Sequence, residues 1–382
     1  MRRIQRWAAS AAVVAVGVTG LAGCQPEGAF FAEVRTDGVQ VSNRWEPLSG
    51  DFDGDGDGDV LWTAVDRPDQ LWRSHGDGTF AKTVAPQDIG AEYHAVIGDF
   101  GGNVADDILF YAGAYPAYSE ESTLWIMGGA GGGVAEEITA ELPMYADRVL
   151  PVLVPDRTSR DGIALPLRFG DLVVWDADDV HGGTTVAMPY DERWGSAVEP
   201  LAGDFDGDGN GDIFIRSIDA PEQVAWSDGA GGFATTVTRD VTTIYHDVLV
   251  LELDHDNRAD IAFVGDAIEG PIPPVNVWFG ATNRTFNRRT LPGFGHRGRV
   301  EVHHDAAGTS ADALVRYDDT KVTALRVDAD GTARLTPSNP VDLGPWNQSD
   351  RIIGDFLRGG HEDVLVYQRG GGTEHLLLSG QG

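Results

Sequence analysis

The sequence predicts an all-β chain: a seven-bladed β-propeller of four-stranded antiparallel blades, closed by its N-terminal strand. Three observations predict it. An acidic loop, Gly50–Val60 (GDFDGDGDGDV), returns almost unchanged as Gly203–Ile213 (GDFDGDGNGDI), with weaker copies between and beyond. The loop starts stand at 51, 99, about 154, 204, 252, about 304 and 355, so the gaps are 48, 55, 50, 48, 52 and 51 residues. That is the period of a propeller blade and not of a helical solenoid. Finally, every repeat carries its signals in one order: a short apolar strand, the acidic loop, an apolar run, a variable loop, a strand often holding Trp, a Gly turn and a last strand beginning near Phe.

Taken in order, residues 1–23 read as a leader and not as fold. Arg2, Arg3 and Arg6 form a positive start, and Ala8–Gly20 is an apolar run too short to span a bilayer. Leu21-Ala22-Gly23-Cys24 resembles the lipobox of bacterial lipoproteins, which implies cleavage before Cys24 and diacylation of its thiol. A plain secretion signal is the alternative, but Cys24 is the only cysteine in the chain. Residues 24–28 make a short tether, and residues 29–382 the propeller. The segment Ala29–Val34 reads as a strand, and Phe31 precedes its loop start by 20 residues as Phe80 and Phe233 precede theirs by 19. It therefore holds the place of a blade's last strand. The seventh repeat ends after His375-Leu376-Leu377-Leu378 and lacks that strand, so the two ends should pair and remove an open sheet edge. The Trp of the third strand recurs as Trp72, Trp125, Trp175, Trp226 and Trp278, a regularity expected of side chains packed between blades.

A chain of 382 residues could make two or three domains, but a closed repeat array of this size is one unit. The formal net charge is −32, and loss of the three leader arginines makes it −35. Such a charge excludes nucleic acid as a partner and disfavours lying flat on an anionic membrane. With one cysteine, no disulfide can form within the chain. An exported fold then needs other staples, and calcium is abundant outside the cell.

The acidic loops supply them. Asp51, Asp53, Asp55 and Asp59 occupy positions 1, 3, 5 and 9, Gly56 takes the tight turn at position 6, and Asp57 at position 7 would offer its carbonyl. Alternate carboxylates on a curled backbone converge on one centre, and an all-oxygen set of this size suits Ca²⁺ before Mg²⁺. The second copy places Asp204, Asp206, Asp208 and Asp212 likewise, with Asn210 at position 7. The third, Glu252, Asp254, Asp256 and Asp260, has Asn257 at the turn and Arg258 at position 7. Asp99, Asn103 and Asp107 keep three positions, and Gly101 removes the ligand at the third.

A ligand face is expected at the opposite end of the blades, where the joints between repeats collect. Each joint carries an aromatic residue or His: Trp45, Tyr93 with His94, Tyr145, Trp194, Tyr245 with His246, Phe294 with His296, and Trp346. Aromatic faces beside acids suit sugar rings, while the alternative role is to wedge the blades. The long loop Tyr111–Thr123 and the Pro-rich Gly265–Asn276 share this end. His303-His304 falls at the metal-loop end and is expected to be an exposed pair.

The loops at Asp51, Asp204 and Glu252, together with turns such as Gly76-Asp77-Gly78-Thr79-Phe80, resemble the FG-GAP/VCBS repeats of integrin-α-like propellers. The resemblance covers nearly all of residues 29–382 and implies Ca²⁺ at the matching positions. The chain carries no G-x-S-x-G, H-E-x-x-H or P-loop pattern. The expectation is a lipid-anchored, monomeric, calcium-binding propeller, held to the membrane through Cys24, that binds a glycan or protein ligand. A polysaccharide-active enzyme and a passive scaffold are the alternatives.

Overall fold

The computed structural model describes residues 31–35, 46–64, 68–77, 79–85, 89, 93–112, 121–128, 133–141, 152–154, 160–166, 171–176, 184–187, 198–217, 221–230, 232–238, 246–265, 272–293, 299–304, 311–317, 322–337, 349–355, 362–368 and 375–379. The leader, Cys24 and the tether lie outside them. All regular elements are strands, and each sheet holds four in antiparallel order. The innermost strands are Glu46–Gly50, His94–Gly98, Val152–Val154, Val198–Gly203, His246–Leu251, Arg299–His303 and Ser349–Gly354, and we number the sheets 1 to 7 after them. Sheets 1 to 6 each take four consecutive strands. In sheet 7 the outermost strand is Phe31–Arg35, which pairs antiparallel with His375–Ser379. The N-terminal segment thus supplies the strand that the last repeat lacks.

The second strand of each sheet is a short apolar run buried on both faces, as Asp107–Tyr111, Asp260–Gly265 and Ala313–Tyr317 show. Such continuous burial means that sheets cover one another face to face, so the core lies between them. Trp72, Trp125, Trp226 and Trp278 are buried as the sequence leads one to expect. Trp278 of sheet 5 packs edge-on against Phe214 of sheet 4 at 5.8 Å, and Trp226 of sheet 4 lies 5.9 Å from Phe286 of sheet 5. The side chain of Trp175 lies outside the described residues.

A repeated backbone tie joins neighbouring sheets at the acidic-loop end. The residue before position 9 of one loop donates its N–H to the carbonyl of position 1 in the loop before it. Asp106 bonds Asp51, Asp161 bonds Asp99, Ala259 bonds Asp204 and Asp312 bonds Glu252 in this way, at 2.7–3.1 Å. Gly58 does the same to Asp355, at 3.3 Å, joining sheet 1 to sheet 7. Where the tying residue is acidic, its carboxylate also accepts the N–H of that position-1 residue: Asp106 from Asp51, Asp161 from Asp99 and Asp312 from Glu252, and the Glu362 carboxylate accepts likewise from His304, at 2.7–3.0 Å. Asp106 is buried, and desolvation pushes its carboxyl up to about 8.

The loop backbone is the same in its well-formed copies. Positions 4 and 6 lie in the left-handed region as Gly54 (φ 74°) and Gly56 (95°), Gly207 (79°) and Gly209 (97°), His255 (67°) and Asn257 (62°). In the Asp99 copy Gly102 has φ 68°, but position 6 is Val104 at φ 80°, where a β-branched residue is strained. Its side chain is 52% exposed, so little packing repays the strain. Val104→Gly is expected to raise the unfolding free energy by about 1 kcal/mol. A denaturant midpoint that falls in the variant would contradict this reading of the loop.

Candidate metal sites

Each site is built from the loop outward. Position 2 is the apolar anchor: Phe52, Phe205 and Leu253 are fully buried and pin the loop to the core. With that residue inside and left-handed turns on either side of position 5, the side chains of positions 1, 3 and 9 meet. Oxygens of Asp51, Asp53 and Asp59 lie within 4.8 Å of one another, as do those of Asp204, Asp206 and Asp212, and of Glu252, Asp254 and Asp260. These are the three loops in which the sequence places a metal. Among the described residues the Asp99 copy forms no such group. There Asp107 accepts the N–H groups of Met127 at 2.7 Å and Gly101 at 2.5 Å, and the Asn103 amide donates to the Met127 carbonyl.

The position-9 carboxylate has a second duty that the sequence reading missed. Asp59 accepts the N–H of Ser74, Asp212 that of Ser227 and Asp260 that of Gly280, at 2.8–3.0 Å. Each acceptor therefore fastens the loop to the end of the third strand of its own sheet. The position-1 carboxylate is oriented by the turn, since Gly56 donates to Asp51 and Gly209 to Asp204.

Asp55, Asp208 and Asp256 stand outside the gathered groups, and each accepts the backbone N–H two residues on, at 2.9–3.0 Å. A short carboxylate in a turn can satisfy its own backbone in this way. The residues at position 7 differ among the loops: Asp57 is buried, Asn210 turns its amide to Asp208, and Arg258 pairs with Asp256 and donates to the Gly280 carbonyl.

Burial and mutual charge set the electrostatics. Desolvation, reinforced by Asp53, raises Asp59 well above the usual carboxylate range, and desolvation with the Asp206 and Asp204 charges pushes Asp212 up to about 8. Asp260 rises to about 8 and Glu252 to about 7, both chiefly through burial. Asp59 Oδ2 and Asp254 Oδ1 are buried with no hydrogen-bond partner. Buried carboxylate oxygens without donors are costly unless a cation faces them. All-oxygen donors, three converging carboxylates and these orphaned atoms fit a hard divalent ion.

Two further features were not legible. Arg284, in the turn after the third strand of sheet 5, donates from Nε to Asp206 at 2.8 Å and from Nη2 to the Ser227 carbonyl at 3.0 Å. His303, expected to be exposed, is buried and bonds the Tyr317 hydroxyl at 2.5 Å, and burial lowers its imidazole to about 3. His304 at position 1 of its decayed loop pairs with Asp312 at 2.9 Å. Burial opposes its charged form, but that carboxylate wins and raises the His304 imidazole.

Of the expected ligand face, Tyr93 and His94 are described. Tyr93 is half-buried and packs edge-on against Phe110 of its own sheet at 6.1 Å. His94 is half-buried, and desolvation lowers its imidazole. Trp45, Tyr145, Trp194, Tyr245 and Trp346 lie outside the described residues, as does the side chain of His246.

No family model and no curated protein matches the chain. It is similar to the crystal structure of BBS1N in complex with ARL6DN, soaked with mercury, with TM-score 0.52 and 10% identity over 92% of this chain and 97% of that one. The lead-soaked crystal of the same complex gives TM-score 0.51 and 10% identity over 93% and 98%. At this identity the likeness is one of fold. The chain is a β-propeller of four-stranded antiparallel blades. In the propeller its three carboxylate groups share one end of the blades, because each is tied to the end of a third strand.

Proposed function

We propose that this is a calcium-stabilised binding module, a seven-bladed propeller of the FG-GAP/VCBS kind, anchored to the outer surface of a membrane through lipidated Cys24. The observation that carries the calcium reading is the convergence of positions 1, 3 and 9 in three separate loops, with the buried Asp59 Oδ2 left for a cation. Ca²⁺ would be held by Asp51, Asp53 and Asp59, by Asp204, Asp206 and Asp212, and by Glu252, Asp254 and Asp260. Its positive charge would offset the burial and mutual repulsion of the gathered carboxylates, and so stiffen the loops that tie one blade to the next.

The binding role follows from the architecture. Rigid blades present variable loops at the end away from the metal, and such loops are where ligands are usually met. A glycan is the ligand suggested by the aromatic joints. A protein partner is the second reading, favoured by the fold neighbour, which is a complex of BBS1N with ARL6DN. No reaction is assigned to the chain.

A glycan array probed with the chain distinguishes these readings. Saturable binding that is lost on joint Ala substitution of Trp45, Trp194 and Trp346 is the result expected for a sugar-binding face. Saturable binding left intact by that substitution would move the site elsewhere. Release of reducing or unsaturated ends from a polysaccharide would overturn the non-catalytic reading.

A further inference from the structure

The three carboxylate groups are not equally open to an ion. At the Asp204–Asp212 loop a cation is already in place, and it belongs to the neighbouring sheet. Arg284 crosses from sheet 5 and donates from Nε to Asp206 Oδ2 at 2.8 Å, while its Nη2 stands 3.5 Å from Asp208 Oδ2. The same guanidinium donates to the Ser227 carbonyl, and the Ser227 N–H caps Asp212. The Asp206 side chain beneath it is 5% exposed and that of Arg284 38%, so an exposed guanidinium caps a buried carboxylate. With Asp208 donating to Asp206 Oδ1 through its N–H, both oxygens of the position-3 carboxylate have partners.

The backbone indicates that the arginine is held there at a cost. Arg284 has φ 62°, and its N–H bonds the Ala281 carbonyl at 3.0 Å. The matching turn of sheet 6 makes the same bond from Gly331 to Asp328, with φ 81°. Arg284 therefore takes a place that a glycine fills in the next sheet, and the left-handed strain is borne by a residue whose side chain reaches the acidic loop.

Resting on the calcium reading above, we propose that Arg284 is a resident counter-cation of the Asp204–Asp212 loop, which a divalent ion must displace from Asp206 before it can bind there. Filling this loop is then an exchange, one guanidinium out and one ion in. In the Asp51–Asp59 loop Asp59 Oδ2 is buried without a hydrogen-bond partner, which leaves an oxygen of its position-9 carboxylate open to the ion. The exchange also replaces an ionic tie between sheets 4 and 5 by a cation held within sheet 4. Arg284 thereby sets the calcium concentration at which this loop responds.

The glycines at position 6 report the two loops separately, since the Gly209 N–H bonds Asp204 and the Gly56 N–H bonds Asp51. The test is a Ca²⁺ titration of the ¹⁵N-labelled chain, following both amide resonances, for the natural protein and for Arg284→Gln and Arg284→Gly. The glycine variant also relieves the turn, so a folding defect in the first is separable from the effect on the ion. A charged hydrogen bond displaced in one protein and absent in the other shifts affinity by about tenfold to a hundredfold. The midpoint at Gly209 is expected to fall by that factor in both variants, with the midpoint at Gly56 unchanged. Equal Gly209 midpoints in all three proteins, with both resonances still responding to Ca²⁺, would overturn the role of Arg284 alone. If neither amide responds in any of them, the calcium reading itself fails and the exchange fails with it.

Discussion

Trp278→Ala is expected to lower the unfolding free energy by about 3–5 kcal/mol, the cost of deleting a large buried aromatic side chain and leaving a cavity. The indole stands where two sheets meet. It is 5% exposed, packs on Phe263 of its own sheet at 4.9 Å and on Phe214 of sheet 4 at 5.8 Å, and lies under the Arg288 guanidinium at 4.0 Å. Phe286 closes the group at 5.7 Å. Truncation removes contacts on both sides of the junction at once, and the strands around it cannot close the gap without sliding in register. Equilibrium urea unfolding checks the figure. A loss below about 1 kcal/mol would mean that the site collapses freely or that this junction contributes little.

Asp212→Asn is the second large effect, and it depends on calcium. If calcium is held as proposed, the variant loses a charged ligand in saturating Ca²⁺, and an ion at a hundred times its dissociation constant contributes about 2.7 kcal/mol to the folded state. The thermal midpoint of the variant is therefore expected to respond less to Ca²⁺ than that of the natural chain. In EDTA the comparison runs through pH. The Asp212 carboxyl, raised to about 8 by burial and by Asp206 and Asp204, holds its proton more tightly folded than unfolded. Its contribution to stability is complete below about pH 4, the ordinary aspartate value, and is lost as pH rises through about 8. The ion-free natural chain should thus lose stability across that window, and the variant, which cannot ionise there, should lose less. Parallel pH profiles in EDTA would mean that Asp212 carries no raised affinity for its proton.

Much of this was legible because repeats multiply a weak signal. One Asp/Gly-rich turn is ambiguous, but Asp51, Asp204 and Glu252 head the same pattern at a blade period, and the structure gathers positions 1, 3 and 9 in those three loops. The pairing of Phe31–Arg35 with the last strand followed from the strand missing at the end of the seventh repeat. Spacing alone does not choose whether Asp55, Asp208 and Asp256 point inward or onto their own turn; in the structure each accepts the N–H two residues on. The inter-sheet ties escaped because they join residues far apart in sequence, such as Asp51 with Asp106 and Asp99 with Asp161, 55 and 62 residues apart. The acidic doublets Asp106-Asp107 and Glu362-Asp363 were the available trace: one acid faces its own loop and the other the loop before it. Arg284 left no comparable trace, since an arginine in a turn looks like solvated charge until the neighbouring sheet is placed beside it.

The most direct test of the account is calorimetric titration of the chain with Ca²⁺, paired with thermal unfolding in excess Ca²⁺ and in EDTA. Three carboxylate groups predict that up to three ions bind, and that the unfolding midpoint is higher with the ion, because a ligand taken up by the folded state alone stabilises it by mass action. No heat of binding, together with equal midpoints in Ca²⁺ and EDTA, would contradict it, and the acidic loops would then be wet turns on a propeller that stands without metal.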